Sequence, residues 1–195
     1  MHSDKINIIY LAAGNSRRYK GNKLLDNING KEMYRHTLDI LLDYVSQKEN
    51  ISLVVVTQYA PIMEYVSQRA DWKVVITYSP QSVNGMSYSI KNGLISAIYP
   101  DGFNMFVVAD QPWLSIDTID GLITGMLESK KRAGCVRSSN GMGNPVIFSK
   151  EYTKDLMKLK DDMGGKSLIQ HKIEECYFYD TVSRELTDID YKLYC

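Results

Sequence analysis

The chain has 195 residues, the size of one domain, and can bury a large core without disulfide bonds. Its 23 basic and 23 acidic side chains balance, which argues against broad electrostatic binding to nucleic acid. With 44% hydrophobic and 24% charged residues, it does not have the composition of a disordered, collagen-like or coiled-coil chain.

Apolar runs typical of strands alternate with helical patterns along the whole chain. In chain order these are strand 6–11, helix 32–46, strand 53–57, helix 61–69, strand 74–78, helix 86–98, strand 105–109, a helix capped by Ser115 that ends near residue 131, strands 135–137 and 145–148, helices 151–159 and 166–173, and strand 176–179. No repeat or linker interrupts this order, so we expect a single domain over residues 1–195. The alternation predicts an α/β domain of three layers, with helices on both faces of a mainly parallel sheet.

The loop after the first predicted strand is rich in cations. Ligands of such sheets bind beyond the carboxyl ends of the strands, so this loop and those after Tyr78 and Ala109 are the candidate functional segments. The small residues Ala12, Ala13 and Gly14 let backbone N–H groups converge on an anion. No acid occurs between Gly14 and the last of four cations that would balance a triphosphate: Arg17, Arg18, Lys20 and Lys23. A solvated basic loop is the alternative, but the position of the run beyond a buried strand favours phosphate binding.

The fourth predicted strand leads directly into a carboxylate, Asp110, followed by Gln111 and Pro112. A single carboxylate at the carboxyl end of a central strand suits Mg²⁺, which takes one or two protein oxygens together with water and substrate phosphates. The alternative is that Asp110 caps a turn or the helix that begins near Ser115.

The helix predicted from residue 86 begins with small hydroxyl residues, in the sequence Gly-Met-Ser-Tyr-Ser-Ile from Gly85. The free N–H groups and partial positive charge of a helix start can hold a phosphate or a base edge. An ordinary N-cap at Ser87 is the alternative. The later run from Gly141 to Pro145 predicts a turn.

Cysteine and histidine are too scattered to indicate a disulfide framework or a zinc site. Cys135, Cys176 and Cys195 form no Cys-x-x-Cys pair, and we expect them to be reduced thiols. The apolar run 8–13 is too short for a signal peptide or a membrane span. We therefore expect a cytoplasmic protein without a membrane partner.

Taken together, the motifs resemble those of the MobA-like NTP transferases, and most closely the molybdenum cofactor cytidylyltransferases, from about residue 6 to residue 190. The segments that carry the resemblance are Leu-Ala-Ala-Gly-x-Ser-x-Arg from Leu11, Lys-Leu-Leu from Lys23, Gly-Met-Ser-x-Ser-Ile from Gly85, Ala-Asp-Gln-Pro from Ala109 and Gly-Asn-Pro-Val-Ile-Phe from Gly143. The chain departs from the family at Lys20, where glycine is usual, at Asn144, where histidine is usual, and at Lys166, where arginine is usual.

The resemblance implies a nucleotide-diphospho-sugar transferase type fold. It also implies Mg²⁺-dependent transfer of a nucleoside monophosphate from an NTP, with CTP as donor, molybdopterin as acceptor and a molybdenum hydroxylase as partner. By likeness, the catalytic residues are Arg18, Lys23 and Asp110, and the metal carboxylates are Asp110 and Asp190. The residues implied to bind the nucleotide are Leu11, Ala12, Ala13, Gly14, Ser16, Lys23, Gly85, Ser87 and Ser89.

Three other functions remain open at this point. The acceptor could be a sugar 1-phosphate or another small phosphate, with GTP or ATP as donor. The protein could instead be a non-catalytic carrier or chaperone that delivers a cofactor to a molybdenum hydroxylase, or a regulatory domain that binds an NTP. Release of pyrophosphate distinguishes a transferase from a carrier.

Overall fold

The computed structural model describes residues 4–16, 19 and 21–189 and contains one large sheet with helices on both faces. Its strands are β1 (Ile6–Ala12), β2 (Asn27–Ile28), β3 (Lys31–Glu32), β4 (Ile51–Thr57), β5 (Val74–Tyr78), β6 (Phe103–Val108), β7 (Ala133–Ser138), β8 (Gly141–Phe148) and β9 (Cys176–Asp180). Its α-helices are α1 (Met33–Ser46), α2 (Ala60–Ser67), α3 (Met86–Ile95), α4 (Ile116–Ser129), α5 (Thr153–Leu156) and α6 (Lys166–Gln170).

The large sheet has seven strands in the order β5-β4-β1-β6-β8-β7-β9. β1 pairs in parallel with β4 and β6, while β8 runs antiparallel to both β6 and β7. The mainly parallel sheet predicted from the sequence is thus confirmed. In this sheet β4 and β5 follow on one side of β1, and the chain then returns to the other side of β1 to form β6. The connection order therefore reverses between β1 and β6, the position at which such sheets bind ligands.

The central strands are continuous apolar runs because both of their faces are covered. Every residue of β1 and β4 is buried, and separate apolar clusters lie on the two sides of the sheet. α3 approaches the sheet closely at Gly93, where an added Cβ atom would lie 2.3 Å from Cγ2 of Ile9. The last turn of α3 consequently packs directly on the central strands β1 and β4.

Four local features differ from the sequence-based prediction. α3 ends at Ile95 rather than near residue 98, because Asn7 binds both the N–H and the carbonyl of Tyr99 and holds that segment in a different conformation. The segment 151–159 forms a short 3₁₀ turn and α5 rather than one helix. Residues 141–144 extend β8 instead of forming a turn, and a register shift in β7 accommodates them. The β2–β3 hairpin was not predicted.

None of the helices in the described ranges has the length and hydropathy that crossing a bilayer requires. Cys135 and Cys176 are free thiols buried in the core, and Cys195 lies outside the described residues. Burial raises the pKa of the Cys135 thiol to about 12. The expectation of reduced thiols is therefore confirmed for these two residues, and their burial makes them poor nucleophiles.

Candidate functional site

A cavity of about 550 Å³ lies at the carboxyl ends of β1 and β6, where the connection order of the sheet reverses. This volume is in the usual range for small-molecule sites. Apart from Asp162, its wall comes from the first 110 residues of the chain. The lining residues are Leu11, Ala13, Gly14, Asn15, Ser16, Tyr19, Lys23, Leu24, Ser82, Gly85, Met86, Ser89, Val108, Ala109, Asp110 and Asp162.

The turn after β1 is held by three consecutive side chains from the end of β4. Thr57 Oγ1, Gln58 Nε2 and Tyr59 Oη donate to the carbonyls of residues 12, 13 and 14 at 2.8, 2.7 and 2.6 Å respectively. In a planar trans peptide the next N–H points opposite to the carbonyl. The N–H groups of residues 13–15 therefore point away from these three side chains, the arrangement of a backbone anion site.

Asn15 connects the same turn to the segment that follows β5. Its Nδ2 donates to the carbonyl of Val83 at 2.7 Å, while its Oδ1 accepts from Gln58 Nε2 at 2.8 Å. The turn is thus braced by β4 on one side and by the 3₁₀ segment Pro80–Asn84 on the other. Contacts with two separate segments therefore fix the backbone of the turn.

Lys23 and Asp110 form an ion pair in the cavity wall. Lys23 Nζ lies 2.7 Å from Asp110 Oδ2, and the two side chains are only 10% and 24% exposed. The basic loop after β1 and the carboxylate after β6 therefore meet, as the phosphate and metal hypotheses for these segments require. The alternative that Asp110 caps α4 does not hold, because the hydroxyl of Ser115 caps that helix by accepting from the N–H of Thr118.

The position of Lys23 is fixed by its own backbone. Its N–H donates to Ser16 Oγ at 3.1 Å, and it begins a 3₁₀ helix, Lys23–Leu25, that Asn22 caps through the N–H of Leu24. Ser16, which has a left-handed φ of 50°, also accepts from the N–H of Tyr19 through its carbonyl. Ser16 therefore links the start of the loop after β1 to both Tyr19 and Lys23.

The field of Asp110 extends into the core. The pKa of the Tyr10 phenol lies well above its usual value, mainly through burial and further through the nearby Asp110 carboxylate. Tyr10 Oη donates to the carbonyl of Tyr34 at 2.6 Å, so the phenol remains a neutral donor. Tyr10 therefore adds no charge beside the Lys23–Asp110 pair.

One N–H group at the start of α3 already donates to another part of the protein. The N–H of Ser87 donates to the carbonyl of Asp161 at 3.0 Å, so this N–H does not serve as the predicted free donor. Gly85 is the N-cap residue instead of Ser87. Its φ is 138°, and a Cβ atom there would lie 2.3 Å from the backbone of Asp161. Gly85 is required because the 161–165 loop packs directly against it.

A chain of buried hydroxyl groups leads from this region to the cavity. Ser89 Oγ donates to Ser82 Oγ at 2.6 Å, Ser82 Oγ lies 2.7 Å from Ser79 Oγ, and Asn92 Nδ2 donates to Ser79 Oγ. These side chains hold one another in place, and Ser82 and Ser89 reach the cavity wall. They provide polar, uncharged groups that can contact a ligand in the cavity.

Most of the sequence-predicted site residues share this one cavity. Its lining includes Leu11, Ala13, Gly14, Ser16, Lys23, Gly85, Ser89 and Asp110. Ala12 and Ser87 are fully buried and are not among the lining residues. Arg18 and Asp190, together with Arg17 and Lys20, lie outside the described residues. Sequence reasoning had assigned no binding role to eight of the lining residues: Asn15, Tyr19, Leu24, Ser82, Met86, Val108, Ala109 and Asp162. Ser82 and Asp162 lie outside the candidate segments, and no local signal marked them.

The chemistry of the wall fits a hard divalent cation bound through substrate oxygens. Among residues 4–16, 19 and 21–189, no three His, Cys, Asp or Glu side chains come together as a metal site. Asp110 therefore suits Mg²⁺ or Mn²⁺, which retain several ligands from water and phosphate. A soft metal that needs thiolate or imidazole ligands does not fit this carboxylate.

Comparison with known proteins agrees with this architecture. A family model described as the MobA-like NTP transferase domain matches residues 8–176. A relative from Pyrococcus horikoshii named "Probable molybdenum cofactor guanylyltransferase" is 32% identical over 148 residues, which is 75% of this chain and 70% of the relative.

Solved structures share the fold at lower identity. A crystal structure of Rv0371c from Mycobacterium tuberculosis H37Rv has a TM-score of 0.75 and 20% identity, and the alignment covers 98% of this chain and 95% of that one. A structure of the same Mycobacterium protein in complex with manganese has a TM-score of 0.66 and 17% identity over 92% of this chain and 89% of that one. These structures have the nucleotide-diphospho-sugar transferase type of fold predicted from the sequence.

Proposed function

This chain belongs to the MobA-like NTP transferase family of nucleotidyltransferases, and we propose that it transfers CMP from CTP to the phosphate of molybdopterin and releases pyrophosphate. The observation that carries the proposal is the Lys23–Asp110 pair at the switch point of the sheet. An ammonium group that can bind phosphate and a carboxylate that can bind a divalent metal thus lie in the wall of one cavity. The name of the relative supports a molybdenum cofactor acceptor.

In the proposed reaction, an oxygen of the acceptor phosphate attacks the α-phosphorus while the bond to the β-phosphate breaks. A phosphate monoester is ionised near neutral pH, so the attack needs no general base. A divalent cation held by Asp110 would neutralise charge on the triphosphate. Catalysis then consists of positioning and charge neutralisation.

The protein groups divide this work between two sides of the cavity. The backbone turn 13–15 and Lys23 hold the triphosphate, and Arg18 is proposed to assist them. On the other side, Gly85 and the hydroxyl of Ser89 face the base and ribose. Because Thr57, Gln58 and Tyr59 fix the turn in advance, little reorganisation is required when the nucleotide binds.

The donor base distinguishes two candidate reactions. The resemblance of the motifs as a set to molybdenum cofactor cytidylyltransferases supports CTP. The names of two archaeal relatives support GTP as the alternative. Both reactions use the same triphosphate and metal groups, so they differ only on the base side of the cavity.

The decisive experiment measures pyrophosphate release with each of the four NTPs and Mg²⁺, with and without molybdopterin. We expect release with CTP only when molybdopterin is present. Release with GTP would identify GTP as the donor instead of CTP, and release with a sugar 1-phosphate would identify that compound as the acceptor instead of molybdopterin. Stoichiometric binding without release would identify a carrier and contradict the proposal.

A matched pair of variants ties the activity to the cavity. Asp110→Asn should lower turnover by about 10²- to 10³-fold, comparable to the loss of one preorganised electrostatic group. Asp101→Asn makes the same chemical change at a carboxylate that is 87% exposed and pairs with Lys150, and it should retain turnover. Near-normal turnover by Asp110→Asn in Mg²⁺ would exclude Asp110 as the metal carboxylate.

A further inference from the structure

The segment after β9 crosses the ligand-binding edge of the sheet and ends at Asp110. We call residues 181–189 the C-terminal strap. Its contacts follow the strand order inward from the edge: the N–H of Thr181 donates to the carbonyl of Arg137 in β7 at 2.8 Å, and Leu186 packs against Gly143 in β8. At its end the N–H of Ile189 donates to the carbonyl of Asp110 at 3.1 Å. The strap thus holds the peptide of the proposed metal carboxylate.

Gln111 is the side chain that fastens this end of the strap. Its Nε2 donates to Asp188 Oδ1 at 2.9 Å and to the carbonyl of Leu186 at 3.3 Å. Its own carbonyl accepts from Thr37 Oγ1 at 2.9 Å, which ties the same residue to α1. Gln111 is only 2% exposed. It therefore links the strap, α1 and the residue adjacent to Asp110.

The hydrogen bonding of Gln111 is one-sided. Both of its side-chain partners are acceptors, so the amide nitrogen must face the strap. Within the described part of the chain, its Oε1 is buried without a donor. A buried unsatisfied oxygen costs stability. A residue selected only for packing would avoid this cost, so the amide donor has a purpose at this position.

The middle of the strap is held by a different element. Glu185 accepts from both the N–H and the hydroxyl of Ser115 at 2.9 Å, at the start of α4. Like Gln111, Glu185 makes two hydrogen bonds, but its partner lies in a different element. It offers a control in which the strap is loosened away from Asp110.

We propose that Gln111 is a positioning residue that, through Asp188 and Ile189, fixes the Asp110 carboxylate and so sets the affinity of the site for a divalent cation. The inference rests on the proposed function, because it requires a cation at Asp110. A carboxylate held on a rigid backbone binds a cation without first being ordered. Partners that orient metal ligands commonly change metal affinity by about 10- to 100-fold when they are removed.

The test exchanges the polarity of the Gln111–Asp188 hydrogen bond. Gln111→Glu places two carboxylates against each other, and Gln111→Met removes the donor at similar volume. The double variant Gln111→Glu with Asp188→Asn restores one hydrogen bond, now donated by the strap. Glu185→Gln is the control. The readouts are Mn²⁺ binding by electron paramagnetic resonance, with and without CTP, and hydrogen exchange of the Ile189 amide.

We expect both single Gln111 variants to weaken Mn²⁺ binding by about 10- to 100-fold and to accelerate exchange at Ile189. The double variant should return both values to within about twofold of the wild type. Glu185→Gln should lower the melting temperature but leave Mn²⁺ affinity unchanged. Unchanged Mn²⁺ affinity in both Gln111 variants, or equal weakening by Glu185→Gln, would overturn the inference.

Wild-type pyrophosphate release separates this inference from the proposed function. If the Mn²⁺ affinities follow the expected pattern but no NTP yields pyrophosphate, the positioning role stands and the proposed transfer fails. If the wild type releases pyrophosphate and the affinities do not follow the pattern, the transfer stands and the positioning role fails.

Discussion

Replacing Lys23 by methionine should destabilise the ligand-free protein as well as impair turnover. Methionine keeps much of the apolar stem of lysine but leaves the carboxylate of Asp110 without its cation at 2.7 Å. Exposed ion pairs contribute at most about 1 kcal/mol, whereas removing one partner of a buried pair costs about 3–5 kcal/mol. With side chains that are 10% and 24% exposed, this pair lies between these limits, and we expect a loss of about 2 kcal/mol.

In a chain of this length, 1 kcal/mol corresponds to about 2–4 °C in melting temperature, so Lys23→Met should melt about 4–8 °C below the wild type. Millimolar Mg²⁺ should raise the melting temperature of the variant more than that of the wild type, because a cation at Asp110 replaces the missing ammonium group. Differential scanning calorimetry with and without Mg²⁺ measures both effects.

Lys150→Met is the matched control for this experiment. Lys150 pairs with Asp101 at 3.0 Å, but the two side chains are 53% and 87% exposed, so its loss should change the melting temperature little. Equal responses of wild type and Lys23→Met to Mg²⁺ would refute the expectation that a cation at Asp110 compensates for the missing ammonium group. Turnover of Lys23→Met should also fall by about 10²- to 10³-fold.

Three further outcomes follow from local geometry. Gly85→Ala should lower the free energy of unfolding in urea by about 2–3 kcal/mol, because a Cβ atom there would meet the Asp161 backbone at 2.3 Å. In the control Gly14→Ala the added Cβ atom meets no atom within 4 Å, so the free energy of unfolding should not fall in this way. Equal effects of the two substitutions would contradict this account. Cys135 should react slowly with a thiol reagent at pH 8 until the protein unfolds, since burial raises its pKa to about 12, and rapid native labelling would argue against it. Burial raises the pKa of Glu185, but hydrogen bonds from Ser115 and its neighbours outweigh this effect and lower the pKa below 4.5. The stability that these bonds give is present above pH 4.5 and is lost as the pH falls through the lowered pKa. The free energy of unfolding of Glu185→Gln should therefore depend less on pH in the acid range.

The first half of the fold could be predicted because its signals are local. β1, β4 and β6 are apolar runs buried on both faces, and α1 and α4 have clear helical spacing and, in α4, a serine cap. The carboxylate after β6 could be placed from the topology rule alone. Lys23 and Asp110 then meet across 87 residues of sequence, as the rule requires.

The remaining parts of the site depend on contacts that leave no local pattern. Nothing in the order Thr57, Gln58, Tyr59 indicates that their side chains hold three carbonyls of another loop. Likewise, the contact between Asp161 and the start of α3 depends on a segment whose helix was predicted too long. Gln111 was visible as part of a motif, but its partner Asp188 lies 77 residues away.

The reversed direction of β8 brings a later part of the chain to the edge of the sheet that holds the cavity. Because β8 starts where β6 and β7 end, the tip of the β7–β8 hairpin projects at the same edge as Asp110. All residues that line the cavity, except Asp162, lie within the first 110 residues, so the hairpin tip and most of the strap come after the cavity wall in the chain. Lengthening or replacing that tip would therefore leave the lining of the cavity unchanged, and surface loops commonly tolerate such changes.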